Sequence, residues 1–268
     1  MADHRQLGPL REVTPGSVRS EDGTTIGYLR AGAGRPLVMV HGSLAVAEAW
    51  SAVANLLADT FTCYLMDRRA RGRSGDAPDY SIEREYQDIA AVLRAAGPKP
   101  HLIGHSYGAV CALGAALETP VDKLILYEPP AGVVFGPEVE DYRQAIAAGD
   151  PEKALEIGIT KIVGVPQSQF EAMRANPMFS MFKALAPGWV SEMEQIENLG
   201  TSLDRYRPID SPVLMLLGSD TSDNLKNATA ALTRVLKNAR VAELPGQGHG
   251  ALRTAPGLVA ERVREFLS

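Results

Sequence analysis

The chain is 268 residues long, with an ordinary globular composition and a formal net charge of -5. That length can bury one large core, or a core domain carrying an insertion, and the composition excludes disordered, collagen-like and coiled-coil classes. The mild negative charge argues against a nucleic-acid partner, and no apolar run approaches the roughly 18–20 residues of a membrane span.

The first residues, MADHRQLGPLRE, have no apolar signal-peptide core, so a cytoplasmic protein is expected, with residues 1–15 as a flexible arm. The cysteines, Cys63 and Cys111, fall in a strand-like and a helix-like run and read as small core residues. The five histidines lack metal-ligand spacing, so no metal site is expected.

From Val18 to Arg30 the pattern predicts two short strands around the Glu21-Asp22-Gly23 turn. Leu37-Val38-Met39-Val40 is a continuous apolar run of the kind buried on both faces of a parallel sheet, and it ends at His41-Gly42-Ser43. A helix over about 46–58 follows, with Trp50, Val53 and Leu57 on one stripe. Phe61 to Met66 is the next strand, ending at Asp67.

The loop Asp67-Arg68-Arg69-Ala70-Arg71-Gly72-Arg73-Ser74-Gly75 is basic, but it has neither Walker spacing nor interleaved aromatics. It reads as an Arg-laced structural loop. Ile82, Tyr86, Ile89 and Leu93 then mark an amphipathic helix closed by Gly97-Pro98.

Leu102 and Ile103 lead into Gly104-His105-Ser106-Tyr107-Gly108, after which an almost wholly apolar helix begins. A serine at so sharp a strand-to-helix turn is held in strained backbone geometry, and side chains on the flanking glycines would collide with crossing backbone. Val121 to Tyr127 forms another strand, ending at Glu128-Pro129-Pro130. Alternating strands and helices imply a mostly parallel sheet with helices on both faces.

From 131 to 207 the strand rhythm stops, and helical segments broken at Pro and Gly predict an inserted helical cap. Met178, Met181, Phe182 and Trp189 are its candidate substrate-pocket residues, because flexible Met and aromatic side chains suit an adaptable apolar pocket. The sheet pattern resumes with a strand from Pro212 to Leu217 ending at Gly218-Ser219-Asp220, then a helix over about 223–237. A strand from Arg240 to Leu244 follows, then the His249 loop and a terminal helix. The core domain is therefore expected over 1–130 and 208–268, with the cap over 131–207.

In an open parallel sheet, ligands bind beyond the carboxyl ends of the strands. A serine hydroxyl needs an adjacent base, usually His, and the base needs an acid to fix its tautomer. Ser106, Asp220 and His249 supply these roles in chain order. His105 reads as a packing residue, and His41 as one that holds its own loop in place.

These motifs resemble those of the α/β-hydrolase fold superfamily. The likeness spans about residues 16 to 268 and rests on HG-S, DRRARGRSG, GHSYG, the helical stretch after LILYEPP, LLGSD and GQGHG. It implies Ser106 as nucleophile, His249 as base and Asp220 as acid, with the backbone N–H groups of Ser43 and Tyr107 as oxyanion donors. Many relatives place the acid three residues after the strand-ending glycine. Asp220 is two after Gly218, so Asp223 and Glu128 stay open as alternatives.

The resemblance further implies acyl transfer without a cofactor, on an ester or lactone of a small to medium apolar substrate. Carbon–carbon bond cleavage, a lyase-type tailoring reaction and a ligand-binding receptor are its alternatives. The expected partner is a small molecule, with no nucleic acid and no membrane; oligomeric state is left open.

Overall fold

The structure is a computed structural model that describes residues 12–268. The arm expected before residue 12 lies outside the described residues. Thr14 and Pro15, also placed in that arm, instead belong to strand β1 (Thr14–Arg19), which pairs antiparallel with β2 (Thr25–Ala31) around the predicted turn.

The remaining strands follow the apolar runs: β3 (Arg35–Val40), β4 (Phe61–Met66), β5 (His101–His105), β6 (Leu124–Tyr127), β7 (Val213–Gly218) and β8 (Ala239–Leu244). They form one eight-stranded sheet in the order β1-β2-β4-β3-β5-β6-β7-β8. From β4 to β8 every pairing is parallel, while β2 joins β1 and β4 antiparallel.

Helices cover both faces, which explains why the central strands are continuously apolar rather than alternating. Val38 and Val40 of β3 enter one core cluster, whereas Leu37 and Met39 enter the other. The first cluster is closed by α2 (Ile82–Ala96) and α3 (Tyr107–Glu118), the second by α1 (Ser51–Leu57). Helix α2 buries the predicted Ile82, Tyr86, Ile89 and Leu93 stripe, and its N-cap Ser81 accepts a hydrogen bond from Arg84 N. Each fully buried Leu, Ile or Val contributes about 1.5–3 kcal/mol through water exclusion. Cys63 and Cys111 are free, buried and assigned to opposite clusters, so the sheet separates them.

Between β6 and β7 the chain forms helices α4 (Glu138–Ala147), α5 (Pro151–Ile157), α6 (Gln167–Arg174) and α7 (Phe179–Leu199), with no strand. They share an apolar cluster built on Tyr142, Leu155, Phe170, Phe179, Trp189 and Met193, which Leu44 joins from the loop after β3. Two further strand–helix steps complete the order: α8 (Asp223–Val235) follows β7, and α9 (Ala251–Thr254) and α10 (Pro256–Leu267) follow β8. Helix α8 adds Leu232 to the first core cluster, and α10 closes the second with Val259, Val263 and Phe266.

The loop after β4 is structural. Arg68 pairs with Glu85 and Glu192, Arg69 with Asp22 and Asp88, Arg71 with Glu192, and Arg73 with Asp67 and Glu48. Every arginine of this basic run thus meets a carboxylate of the same chain, which leaves no cationic cradle for a phosphate. Asp67 organises the turn, accepting from Ala47 N at 2.7 Å and Arg73 N at 3.0 Å.

Candidate active site

Ser106 sits between β5 and α3 with φ 55° and ψ −126°, a left-handed conformation that costs a non-glycine residue on the order of 1–3 kcal/mol. Local packing holds it there. A Cβ on Gly104 would come within 2.5 Å of Gly108 O and 2.6 Å of Ala109 Cα, and one on Gly108 would strike the His41 carbonyl. Ser106 N donates to Tyr127 O of β6 at 2.9 Å. The serine is therefore fixed from both neighbouring strands, as the spacing of the motif predicted.

His249 lies in the loop after β8. Its Nδ1 is 2.6 Å from Glu128 Oε2, and Glu128 is fully buried. The same carboxylate accepts from Gly218 N at 2.8 Å and from Thr221 Oγ1 at 3.0 Å. Glu128 leaves β6 at φ 46°, a left-handed turn immediately after the strand. Its backbone N–H still donates to Leu216 O of β7, at 3.2 Å.

This corrects the reading of Asp220 as the acid. Asp220 is exposed, and its Oδ1 accepts from Ser219 Oγ at 2.7 Å. Asp223 is likewise exposed, at the start of α8. Gly218, which ends β7, gives its N–H to Glu128 instead, so the strand end expected to carry the acid helps to hold a carboxylate offered by its neighbour.

Two side chains fasten the His249 loop. The Tyr127 hydroxyl donates to Gly248 O and accepts from Ala251 N at 3.1 Å. His105 Nε2 lies 3.0 Å from His249 O, so that nitrogen carries the proton. Its ring also packs on His249 and Tyr127, with centroids 4.6 and 4.8 Å apart. Burial, then the nearby His249, pushes the His105 pKa well below its ordinary value. The sequence reading of His105 as packing thus holds, with a hydrogen bond added.

On the opposite side, His41 Nε2 accepts from Arg68 N at 3.1 Å, so Nδ1 bears the proton and donates to Gly42 O at 2.8 Å. Burial first, and then Arg68, keep this imidazole neutral by pushing its pKa well down. Holding the Gly42 carbonyl also fixes the peptide whose N–H belongs to Ser43, because C=O and N–H of a trans peptide point in opposite directions. Gly42 lies so near the serine that a Cβ there would be 2.8 Å from Ser106 Cβ. Tyr107 opens α3, and the first N–H groups of a helix have no intrahelical acceptor and face negative charge favourably.

Ser43, Ser106, Tyr107 and His249 line one cavity of about 50 Å³, large enough for a small group rather than a bulky one. Its remaining wall is mainly apolar, with Phe135, Val163, Trp189 and Ile196 from the helical segment. Of the four residues expected there, Trp189 lines the cavity. Met178 is 54% exposed, and Met181 and Phe182 are half-buried outside the cavity wall, Phe182 packing into the cluster of the inserted helices. Phe182 serves that packing, whereas α7 reaches the cavity further along, at Trp189 and Ile196.

Glu192, also on α7, escaped the sequence reading although it is buried between Trp189, Met193 and Ile196. A lone carboxylate inside an apolar stripe was the available signal. Burial alone would raise its pKa, but Arg68, Arg71 and the Ser43 hydroxyl hold it below the usual carboxylate range.

No group of three or more His, Cys, Asp or Glu among the described residues is arranged to hold a metal ion. No helix among them is long and apolar enough to cross a membrane.

Comparison with known proteins agrees with this architecture. A family model described as "Alpha/beta hydrolase family" matches residues 37–262. An alpha/beta hydrolase from Sphaerobacter thermophilus superposes with a TM-score of 0.85 at 32% identity, covering 94% of this chain and 100% of that one. An esterase from Thermogutta terrifontis shares the fold, with a TM-score of 0.77 at 22% identity over 95% of this chain and 98% of that chain. N-formylmaleamate deformylase of Pseudomonas putida is 38% identical over 124 residues, 44% of this chain and 45% of its own length. This chain thus spans less than half of that relative.

Proposed function

The chain belongs to the alpha/beta hydrolase family, and from that premise we propose that it is a serine hydrolase using Ser106, His249 and Glu128. Its substrate in this reading is a carboxylic ester or lactone with a small to medium apolar acyl part. The observation that carries the proposal is the buried Glu128 carboxylate 2.6 Å from His249 Nδ1, with His249 and Ser106 lining the same cavity.

Glu128 accepts a hydrogen bond from Nδ1–H, which fixes the tautomer whose Nε2 is unprotonated and available as base. Ser106 Oγ bonds to the substrate carbonyl carbon while its proton passes to His249 Nε2. The carbonyl electron pair becomes an oxyanion facing the N–H groups of Ser43 and Tyr107. Collapse of that adduct breaks the carbon–oxygen ester bond, and the alkoxide leaves with the proton from Nε2. Water, deprotonated by the same nitrogen, attacks the acyl-serine; the acid departs and Ser106 regains its proton.

Glu128 keeps its hydrogen bond to Nδ1–H and so stabilises the imidazolium. The mainly apolar cavity wall supports an apolar acyl group, and its small volume supports a short one. The helices between β6 and β7 act in this reading as a cap over the site. Scission of a formyl group, the reaction type named in the Pseudomonas relative, would fit the same acyl-transfer sequence.

The test is a panel of aryl esters of increasing acyl length, run on the parent protein and on Ser106→Ala. Turnover with an optimum at short acyl chains, abolished by a substitution that leaves the fold intact, is expected; loss of a serine nucleophile typically costs about 10⁶ in rate. Near-normal turnover by Ser106→Ala would reject the assignment. One covalent turnover without sustained hydrolysis would point to a receptor.

A further inference from the structure

Between α7 and the sheet lies a buried cluster of two arginines and two glutamates, balanced in charge. Arg68 is 1% exposed and grips Glu85 through two bonds, Nε to Oε2 at 3.2 Å and Nη2 to Oε1 at 2.6 Å. The same Nη2 reaches across to Glu192 Oε1 at 2.8 Å, and Arg71 Nη2 meets that oxygen at 3.1 Å. A buried charge cluster is not needed to attach an apolar helix, since well-packed apolar side chains would do so at no desolvation cost.

What distinguishes this cluster is where else it reaches. Arg68 Nη1 donates to Gly42 O at 3.3 Å, the carbonyl of the peptide that presents Ser43 N–H. The guanidinium also lies 4.6 Å from the centroid of the Tyr107 ring. Tyr107 is held on its far side by a 2.9 Å hydroxyl contact with Tyr80, whose own hydroxyl donates to Glu85 Oε1 at 3.1 Å. The Ser43 hydroxyl adds to the two arginines in lowering the Glu192 pKa. Both residues assigned as oxyanion donors are therefore braced by one guanidinium, and that guanidinium is fixed in part by a residue of α7.

We propose that Arg68 and Glu192 form a positioning pair that sets the oxyanion donors, so that docking of α7 on the sheet tunes transition-state stabilisation. This rests on the serine-hydrolase reading above. Neither residue touches the reacting atoms. With Glu192 ionised and in place, Arg68 is held against Gly42 O and the Ser43 and Tyr107 N–H groups converge. With that anchor weakened, the peptide relaxes and the donors lose their alignment.

The experiment compares Glu192→Gln, which keeps the side-chain shape and removes the charge, with the parent enzyme. Readouts are kcat, KM, thermal midpoint and affinity for two ketones matched to the best ester. An aryl trifluoromethyl ketone adds to Ser106 as a tetrahedral oxyanion, whereas the plain methyl ketone binds as a ground-state mimic. Loss of a whole oxyanion donor typically costs about 10²–10³ in rate, so misalignment is expected to lower kcat about 10-fold. KM and methyl-ketone affinity should stay within about twofold, while trifluoromethyl-ketone affinity falls by the same factor as kcat.

Ser43→Ala keeps the backbone donor and deletes only the hydroxyl that helps to hold the Glu192 pKa down. It should give the same split in smaller measure, about threefold, and it carries the test if the Glu192 variant does not fold. A lowered midpoint with kcat and trifluoromethyl-ketone affinity at parental values would overturn the proposal, leaving the pair as a strut. Failure of the parent itself to form the Ser106 adduct, read by mass spectrometry, would instead reject the serine-hydrolase reading.

Discussion

His249 Nδ1 meets Glu128 Oε2 at 2.6 Å, across the gap between the end of β6 and the loop after β8. Glu128→Gln should therefore lower kcat by about 10³–10⁴-fold, because an amide that donates toward Nδ1 favours the wrong imidazole tautomer. Asp220→Asn should leave kcat/KM within about threefold, since its side chain meets Ser219 and not the histidine. Steady-state kinetics on the two variants checks the pair; inactivity confined to the Asp220 variant would restore the original reading.

Gly108→Ala places a methyl group against the backbone carbonyl of His41, an atom that cannot swing away. Overpacking of this kind costs about 1–3 kcal/mol, and here it also pushes the His41 loop from Ser106. Urea unfolding should show a lower midpoint, and the folded fraction should retain little activity.

His41 and His101 are buried, and His105 half-buried, with pKa values pushed down, so stability should fall in acid. Burial first, with the Arg35 charge adding to it, lowers the His101 pKa from 6.5 to about 4. Asp122, 3.5 Å away, opposes this only in part. The unfolded chain takes up the proton first, so the stabilisation is complete above pH 6.5 and is lost as pH drops from 6.5 to about 4. A shift of this size corresponds to roughly 3 kcal/mol at most. His41 and His105 act in the same direction. Urea titrations across this range should give a falling midpoint, and His101→Leu should make the slope shallower.

Trp189 lines the cavity and packs edge-on against Tyr142, with ring centroids 5.2 Å apart. Trp189→Phe should widen the cavity and move the preferred acyl chain to a longer length. Met178→Ser, at an exposed position, should leave that preference unchanged. The aryl-ester panel reads both outcomes.

Much of the fold was legible because its signals are local. Apolar runs such as Leu37–Val40 and Leu102–Ile103 mark strands covered on both faces, and the Ile82 to Leu93 stripe marks a surface helix. The turn at Ser106 is encoded within five residues, since Gly104 and Gly108 are needed wherever the rest of the chain lies. His249 was legible for a related reason: its loop is short, glycine-rich and follows the last strand.

The carboxylate that meets His249 was not legible in the same way. Asp220, Asp223 and Glu128 all follow strand ends, and only the parallel register of β6 on β7 turns Glu128 toward His249 while Gly218 N and Thr221 secure it. The cavity wall and the partners of Arg68 depend likewise on which turns of α7 face the sheet. By itself, the sequence determined the backbone frame and the turn at Ser106, because steric limits and hydrophobic periodicity act over a few neighbouring residues. Only the tertiary structure decided which carboxylate meets His249 and which side chains close the cavity, because those contacts join segments far apart in the chain, as over the 121 positions from Glu128 to His249 or the 124 from Arg68 to Glu192.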